Sequence, residues 1–322
     1  MVNFQKNTVV VSVITGVTGF VGGYLAKSLL SHGHTVVGID QWAQCPWPKV
    51  DYSQINILDN ASMLHLLDRV RPDYIYHLAA ISYLPDADAT PGRALEINIM
   101  GTVSLLDAVR NSCPSARVLV VGSSKEYGSN AVSDLIAEQT PPAPTDFYGI
   151  SKFSAEMIGI QYVRQFGLDI RFSRSFNHTG PGQSPRFVCS DWAKQIAEIS
   201  ETKGDSKIKV GDLEVEIDFS DVRDVVEAYY RICTKGKKGE TYNVCRGDTV
   251  SLDYILTCLL GKTDKKITVE QSKQKLRSHK ASPKIAGDNT KLRSHTGWKP
   301  GISIEKTLDD LYAYWLKSLK NR

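Results

Sequence analysis

One stretch decides the fold of this chain: Val11-Ser-Val-Ile-Thr-Gly16-Val-Thr-Gly19-Phe-Val-Gly22-Gly-Tyr-Leu25. A β-branched run leads into a glycine-rich turn, and a helical pattern begins directly after that turn. Glycine lets a backbone come close to a phosphate group, and the first turn of a helix offers unpaired N–H groups and positive dipole charge. The stretch therefore predicts a strand, a phosphate-binding turn and a helix. A glycine-rich turn that binds no ligand is the alternative.

The rest of the first half continues this alternation of strand and helix patterns. Short runs rich in β-branched residues predict strands at residues 9–15, 35–39, 74–78, 118–121 and 170–173. Helical periodicity predicts helices at residues 20–31, 61–69, 95–111 and 148–166. Strands alternating with helices form a parallel sheet covered on both faces. We therefore expect an α/β fold with a doubly wound (Rossmann) parallel sheet, which binds ligands at the carboxyl ends of its strands.

Beyond Asn177 the regular alternation weakens, which indicates a second, smaller α/β domain. Gly180-Pro-Gly182 interrupts the pattern, and residues 262–282 are basic and rich in serine. We assign residues 1–176, with about 219–246, to the dinucleotide-binding domain, and about 177–218 and 247–322 to a substrate-binding domain. No long low-complexity linker separates the two, so we expect them to pack closely around a cleft.

An acidic residue, Asp40, follows the predicted strand at residues 35–39. At this position a carboxylate accepts hydrogen bonds from the adenosine ribose and repels a 2′-phosphate. The sequence therefore predicts NAD as the cofactor, in preference to NADP. An ordinary strand-end turn residue is the alternative for Asp40.

Composition narrows the classes of protein and partner. The chain has 322 residues, of which 42% are hydrophobic and 23% charged, and its formal net charge of +4 is spread along the sequence. No basic face for nucleic acid is apparent, so we expect no nucleic-acid partner. The six cysteines lie far apart without zinc-ligand spacing, which predicts reduced thiols and no metal site. Since neither a leader cleavage site nor a membrane span is recognisable, we expect a soluble cytoplasmic protein without a membrane partner.

Several motifs together resemble the extended short-chain dehydrogenases/reductases, the family of nucleotide-sugar epimerases, dehydratases and reductases. They are Gly16-x-x-Gly19-x-x-Gly22, His77-Leu-Ala-Ala80, Asn98-x-x-Gly101-Thr, Ser123-Ser-Lys-Glu-Tyr-Gly128 and Tyr148-x-x-x-Lys152. The resemblance covers almost the whole chain. It implies an oxidoreductase that moves hydride between a sugar carbon and a nicotinamide.

Within that family, Arg174-Ser-Phe-Asn-His-Thr-Gly-Pro-Gly-Gln183 is similar to the branch that acts on GDP-mannose derivatives. This branch contains GDP-mannose 4,6-dehydratase and GDP-4-keto-6-deoxymannose reductase, and the reductase is the more similar of the two. The resemblance implies a GDP-linked mannose-type sugar as the substrate. It also implies a homodimer formed through a bundle of the helices at residues 95–111 and 148–166.

Tyr148 and Lys152 are the predicted centre of proton transfer. They are four residues apart, so on a helix both side chains project from one face. A lysine ammonium beside a phenol favours the phenolate, and we therefore expect the pKa of Tyr148 to be lowered toward neutrality. Ser123 is expected to hydrogen-bond the reacting sugar oxygen, with Ser124 as the alternative. A surface Tyr–Lys pair without a catalytic role is the other interpretation.

The resemblance also implies the residues that contact the ligands. Cofactor contacts are expected at Gly16, Gly19, Phe20, Val21, Gly22, Asp40, Asn56, Ile57, Leu78, Ala79, Ala80, Asn98, Tyr148, Lys152 and Phe176. Substrate contacts are expected at Ser124, Lys125, Asn177, Arg186, Val188, Lys194 and Arg277. For Asn98 and His77 a purely structural role is the alternative, and for His77 it is the preferred one.

Two positions depart from the family pattern. Lys125 stands where dehydratases usually have a glutamate, and Glu126 on an extended backbone would point to the opposite side, so we expect no elimination of water. Ile217 stands where relatives commonly have an arginine that holds the substrate diphosphate. Either another cation holds the diphosphate, with Arg186, Lys194 and Arg277 as the candidates, or the nucleotide differs from that of the family.

The leading hypothesis is an NAD-dependent oxidoreductase acting at C4 of a GDP-linked sugar, as dehydrogenase or ketoreductase. An epimerase or a 4,6-dehydratase with retained NAD is the alternative enzyme. A regulator that binds NAD without catalysis is the alternative from another class. The intact set of Ser123, Tyr148 and Lys152 argues against the regulator, which would not need these side chains.

Overall fold

The computed structural model describes residues 9–131, 135–202, 206–271 and 285–320. The strands are β1 Val11–Thr15, β2 Thr35–Asp40, β3 Asp51–Gln54, β4 Tyr74–His77, β5 Arg117–Ser123, β6 Leu135–Ile136, β7 Asp169–Ser175, β8 Asn177–Thr179, β9 Ser206–Val210, β10 Glu216–Ile217, β11 Phe219–Asp221, β12 Thr241–Val244, β13 Val250–Ser251, β14 Ile267–Gln271 and β15 Ala286–Gly287. The helices are α1 Phe20–Ser31, α2 Asn60–Val70, α3 Leu84–Ala89, α4 Pro91–Leu95, α5 Gly101–Ser112, α6 Phe147–Phe166, α7 Val188–Ser200, α8 Val222–Lys235, α9 Leu252–Leu260, α10 Thr290–Thr296 and α11 Ile304–Lys320.

The central sheet has the order β12-β7-β5-β4-β1-β2-β3, and all neighbouring strands in it are parallel. The chain order reverses between β1 and β4, where the crevice of a doubly wound sheet opens. This confirms the predicted α/β fold class. The strands β3 and β12 were not predicted, and in β3 the reason is its polar sequence, Asp-Tyr-Ser-Gln, which carries no apolar run.

Apolar side chains cover the sheet on both faces. Helices α2, α5 and α6 pack on one face, and α1, α8 and α10 pack on the other. A separate apolar cluster joins α7, β9, α9 and α11. This second core lies in the part of the chain that was predicted to form the substrate-binding domain. The exact domain boundaries remain a prediction.

Local signals set where the helices next to the site begin. The Asp146 carboxylate accepts a 2.7 Å hydrogen bond from the Gly149 N–H, so α6 begins immediately before Tyr148. The helix predicted at residues 95–111 is interrupted, because Glu96–Met100 forms a π-helical turn ahead of α5. Such turns are often found at functional sites.

Two global features bear on function. No helix in the described ranges is long and apolar enough to cross a membrane. The same part of the chain contains no group of three or more His, Cys, Asp or Glu side chains that could hold a metal ion.

Candidate active site

The glycine turn between β1 and α1 has a backbone that only glycine can supply. Gly16 has a φ of +75°, and a Cβ atom there would lie 2.9 Å from the backbone nitrogen of Ala79. A Cβ on Gly22 would overlap the carbonyl oxygen of Gly16. The turn is fixed by a 2.8 Å hydrogen bond from the Gly16 N–H to the Ile39 carbonyl oxygen. It therefore forms a shallow backbone cradle at the carboxyl edge of the sheet.

The amino end of α1 faces this cradle. Gly19 is the N-cap residue and offers no side-chain hydrogen bond, and Phe20 and Val21 form the first turn. The N–H groups of a first helical turn have no partners within the helix, and the helix dipole adds positive charge there. These features fit the diphosphate of a dinucleotide.

Asp40 ends β2, as expected, and its carboxylate lies beside the glycine turn. Its Oδ2 accepts hydrogen bonds from the Thr18 hydroxyl at 2.6 Å and the Thr18 N–H at 3.2 Å, and its Oδ1 accepts one from the Gln41 N–H at 2.8 Å. A carboxylate has about four acceptor positions, so capacity is left for a ribose hydroxyl. Residues 41–48 contain no Lys or Arg that could pair with a 2′-phosphate.

The other expected cofactor contacts follow the ends of β3, β4 and β7. Asn56 is exposed and Ile57 is buried just beyond β3, and the half-buried residues Leu78, Ala79 and Ala80 continue from β4. Phe176 follows β7, but only 4% of it is exposed, and it packs with Tyr127 in a small apolar cluster. All these residues lie at the carboxyl edge of the sheet, and their contacts with a cofactor stay a prediction.

Ser123, Tyr148 and Lys152 meet at the carboxyl end of β5. Ser123 ends this strand, while Tyr148 and Lys152 come from the first turns of α6. Helix α6 can approach the strand end because Gly149 has no side chain; a Cβ there would lie 2.6 Å from the Lys125 carbonyl oxygen. The Lys152 ammonium donates a 2.8 Å hydrogen bond to the Val121 carbonyl oxygen, and its Nζ lies 6.0 Å from the centroid of the Tyr148 ring.

The electrostatics of this group differ from the sequence expectation. Burial raises the pKa of Tyr148 well above its usual value, and a hydrogen bond with the Ser123 side chain opposes that shift. Burial also lowers the pKa of Lys152 to about 8. The expectation that the pKa of Tyr148 is lowered is therefore wrong for the chain by itself, because desolvation of the buried phenol dominates.

Two buried polar residues hold the loop after β4. The Asn98 amide donates to the Ile81 carbonyl oxygen at 3.1 Å and the Ser151 hydroxyl at 2.8 Å, and accepts from the Ile81 N–H at 2.8 Å. Both amide donors are thus used within the chain. The side chain ties the β4 loop to α6 one residue before Lys152, which supports the structural alternative for Asn98.

His77 has the structural role that the sequence favoured. The Thr102 hydroxyl donates to the Asn98 carbonyl oxygen at 2.7 Å, so it accepts at 3.0 Å from the His77 Nε2–H. His77 Nδ1 in turn accepts a hydrogen bond from the Thr15 hydroxyl at 2.8 Å. Burial lowers the pKa of His77 to about 3, so its ring is neutral.

The segment after Ser123 is a short 3-10 helix, Ser124–Glu126, and not the extended backbone assumed from the sequence. Lys125 is half-buried in this turn, and its N–H donates to the Ser123 hydroxyl at 3.2 Å. Glu126 is completely buried, and its carboxyl accepts a 2.7 Å hydrogen bond from the Ser123 N–H. The reason given for excluding Glu126 is thus wrong, but the side chain is committed to the interior.

The expected substrate contacts are dispersed. Ser124 and Lys125 lie next to Ser123, and Asn177 and Val188 begin β8 and α7. Lys194 lies 3.6 Å from the Glu198 carboxylate and above the Trp315 ring. Arg277 lies outside the described residues. Their roles stay predictions.

Arg186 belongs to a contact that sequence reasoning missed. Its guanidinium pairs with the Asp86 carboxylate and lies 3.8 Å from the centroid of the Tyr83 ring. Tyr83 also packs edge-on against Phe187 at 5.5 Å. The contact joins the loop after β4 to the segment before α7. No local signal could have suggested it, because residues 78–86 and 180–187 each contain only one aromatic and one charged residue.

The side chain at position 217 is an isoleucine and has no charge with which to bind a diphosphate. Ile217 pairs with Val250 in the β10–β13 ribbon and contributes to the apolar cluster around α7. The adjacent Asp218 carboxyl accepts backbone hydrogen bonds from Arg246, Gly247 and Gly287 at 2.8 to 3.1 Å. This segment therefore organises the interior of the second core.

Both the sequence and the fold relate the chain to known proteins. The sequence model of the family described as GDP-mannose 4,6 dehydratase matches residues 13–311. GDP-6-deoxy-D-mannose reductase of Pseudomonas aeruginosa is 33% identical over 303 residues, covering 94% of this chain and 96% of that protein. The structure of RMD from P. aeruginosa complexed with NADPH has a TM-score of 0.83 and 32% identity, covering 96% of this chain and 99% of that one. UDP-glucose 4-epimerase of Thermotoga maritima, solved with UDP-glucose, has a TM-score of 0.83 and 25% identity, covering 96% and 99% of the two chains.

Proposed function

The chain belongs to the GDP-mannose 4,6-dehydratase family of extended short-chain dehydrogenases/reductases, and from this premise we propose that it transfers hydride at C4 of a GDP-linked mannose-type sugar. It acts as a C4 dehydrogenase or a 4-keto reductase. The observation that carries the proposal is the convergence of Ser123, Tyr148 and Lys152 on the edge of the sheet that holds the glycine turn.

Each of the three side chains has a distinct part in the reaction. The Tyr148 hydroxyl gives a proton to, or takes one from, the sugar oxygen at C4. The Ser123 hydroxyl hydrogen-bonds the same oxygen and orients it. The Lys152 ammonium, held by the Val121 carbonyl oxygen, stabilises negative charge that develops on the Tyr148 phenol. A nicotinamide dinucleotide, when bound along the glycine turn, supplies or accepts the hydride.

The proposed cofactor is NAD in preference to NADP. The P. aeruginosa structure was solved with NADPH, so the proposal for this chain departs from that relative. Here the Asp40 carboxylate stands beside the turn, and residues 41–48 offer no cation for a 2′-phosphate. Placing a phosphate against this carboxylate would bring like charges together.

We do not expect this enzyme to eliminate water from its substrate. Elimination across C5 and C6 requires a further acid–base group beside Tyr148. Lys125 occupies the position where dehydratases have a glutamate, and the Glu126 carboxyl is buried behind Ser123. The chemistry is thus confined to hydride and proton transfer at C4.

One experiment tests the reaction directly. The purified protein is first analysed by mass spectrometry for bound nucleotide and sugar, then incubated with NAD or NADH and a GDP-mannose-type sugar or its 4-keto form. We expect a change in nicotinamide absorbance together with a product altered only at C4 in the NMR spectrum. A C6 methyl doublet on a keto sugar would contradict the proposal, and so would the absence of any hydride transfer.

The proposed assembly is a homodimer through α5 and α6. Phe147, Ile150 and Met157 are exposed on one face of α6, and Met100 is exposed just before α5. Contiguous exposed apolar residues of this kind mark interaction surfaces. We expect light scattering to show a dimer in solution and Ile150→Glu to shift it toward monomer.

A cytoplasmic location is also part of the proposed function.

A further inference from the structure

A buried cluster of charged groups lies directly behind Ser123. It consists of Glu126, Glu156 of α6 and Arg174 of β7, of which 0%, 3% and 4% are exposed. The Arg174 guanidinium donates to both Glu156 carboxylate oxygens, at 2.6 and 3.1 Å. Its Nε also lies 3.3 Å from Glu126 Oε2. The function proposed above uses none of these groups.

Within this cluster the charges balance when one carboxyl is protonated, because Arg174 is the cation that contacts both glutamates, whereas the Lys152 ammonium hydrogen-bonds the Val121 carbonyl oxygen. Arg174 carries one positive charge, and two ionised glutamates would leave a net negative charge in the interior, which is costly. The bidentate contact identifies Glu156 as the ionised partner of Arg174. Glu126 is then the neutral acid, and burial together with Glu156 raises the pKa of Glu126 well above its usual value.

The hydrogen bonds of Glu126 agree with that assignment. Its Oε1 accepts the 2.7 Å hydrogen bond from the Ser123 N–H. Its Oε2 receives no hydrogen bond from the described part of the chain, which suits an oxygen that carries a proton and donates it toward Glu156. Gly122, beside Ser123, leaves room for the carboxyl, because a Cβ there would overlap Glu126 Oε1.

We propose that Glu126 is a positioning residue whose protonated carboxyl group, hydrogen-bonded to Glu156, fixes the backbone at Ser123. It thereby also fixes the Ser123 hydroxyl and the Lys152 ammonium of the reacting centre. The proposal rests on the proposed function, because Ser123 and Lys152 are assigned there. Lys152 is linked to the same strand end through the Val121 carbonyl oxygen. A shift of this strand end would move both groups away from the sugar oxygen.

The charged and titratable groups facing Glu126 come from three elements. Glu156, Lys152 and Tyr148 belong to α6, Arg174 belongs to β7, and Tyr127 follows Glu126 in the chain with its ring 4.9 Å from the Arg174 guanidinium. An additional negative charge at Glu126 would favour the charged form of Lys152. The pH profile therefore reports the protonation state of Glu126 as well as its position.

Two variants separate a neutral carboxyl from other roles. Glu126→Gln keeps an acceptor for the Ser123 N–H and a donor toward Glu156, so we expect kcat within about threefold of the wild type and an unchanged pH profile. Glu126→Leu loses both hydrogen bonds, so we expect kcat to fall at least about tenfold with little change in KM. Asp169→Asn is the matched control, since it removes an ion pair with buried Arg171 on the same strand at the opposite edge of the sheet. It should lower thermal stability without changing kcat.

Infrared difference spectroscopy gives a readout independent of turnover. At neutral pH, the wild type should show the carbonyl stretch of a buried protonated carboxylic acid, and this band should be missing in Glu126→Gln. A missing band in the wild type, or a Glu126→Gln variant as impaired as Glu126→Leu, would overturn the proposal. Full kcat in a folded Glu126→Leu variant would overturn it too. An inactive wild type that still shows the band would contradict the proposed function alone.

Discussion

The glycine turn and the region around Ile217 differ in what they offer a charged ligand. In the turn, the groups that face a phosphate are backbone N–H groups, held in place by the absence of side chains at Gly16 and Gly22. Around Ile217 the side chain packs against an apolar cluster, and the Asp218 carboxylate is occupied by three backbone N–H groups of its own chain. The glycine turn presents backbone groups that are suited to binding a ligand, whereas the region around Ile217 stabilises the fold.

Two of the cations expected to contact the substrate already have acidic partners within the chain. Arg186 pairs with Asp86, and Lys194 lies beside Glu198. A diphosphate that binds Arg186 or Lys194 must compete with these partners. In the proposed function, the dinucleotide side of the site is thus formed before a ligand arrives, whereas the sugar-nucleotide side depends on exchange of side-chain contacts.

The largest effect is expected at Tyr148, which lies at the same edge of the sheet as the glycine turn. Tyr148→Phe removes the proton-transferring hydroxyl while keeping the ring, so turnover should fall at least about a hundredfold. The dissociation constant for NAD, measured by calorimetry, should change little because the glycine turn is untouched. Near-normal turnover in the purified variant would show that the reacting centre lies elsewhere.

Asp40 tests whether the preformed side also selects the cofactor. We expect the wild type to bind NAD more tightly than NADP, and Asp40→Ser to shift the ratio of the two affinities toward NADP by at least about tenfold, because a like-charge contact is removed. Calorimetric titration of both dinucleotides measures this ratio. Asp51→Ser, an exposed change in neighbouring β3, is the control and should leave it unaltered. Tighter binding of NADP by the wild type would refute the assignment.

The pH dependence tests the electrostatics of the reacting centre. Burial lowers the pKa of Lys152 to about 8, so the ammonium is present below that pH and is lost above it. We expect kcat/KM, which reports the free enzyme, to fall by about tenfold per pH unit above that value. In Lys152→Arg the side chain stays charged, and any residual activity should lack this alkaline limb. A flat profile between pH about 8 and 10 in the wild type would contradict the role of the ammonium.

The smallest effect is expected on the other side of the cleft. Arg186 is half-exposed and already paired with Asp86, so solvent screens any contact that it makes with a diphosphate, and Arg186→Gln should raise KM for the nucleotide sugar by about fivefold or less. Arg293→Gln on α10 is the control for loss of a positive charge. A far larger rise in KM would mean that Arg186 leaves Asp86 to hold the diphosphate, and the contrast between the two sides would then be weaker than proposed.

Much of the fold and part of the site could be predicted because their determinants are local. The glycine turn, the strand end at Asp40 and the spacing of Tyr148 and Lys152 are all read within a few residues. Apolar periodicity likewise placed most of the sheet strands and their covering helices. Where such periodicity is missing, as in polar β3, no local pattern predicts the strand.

What only the tertiary structure decided depends on partners distant in sequence. The pKa values of Tyr148 and Lys152 depend on burial beneath the packed sheet edge, which favours the neutral form of each side chain. The turn at Glu126 is stabilised by contacts with Glu156 and Arg174, which are 30 and 48 positions further along the chain. Local patterns determine backbone geometry, whereas desolvation and pairing are properties of the assembled interior. The sequence therefore determined where the reacting groups lie, and the tertiary structure decided how they are charged and held.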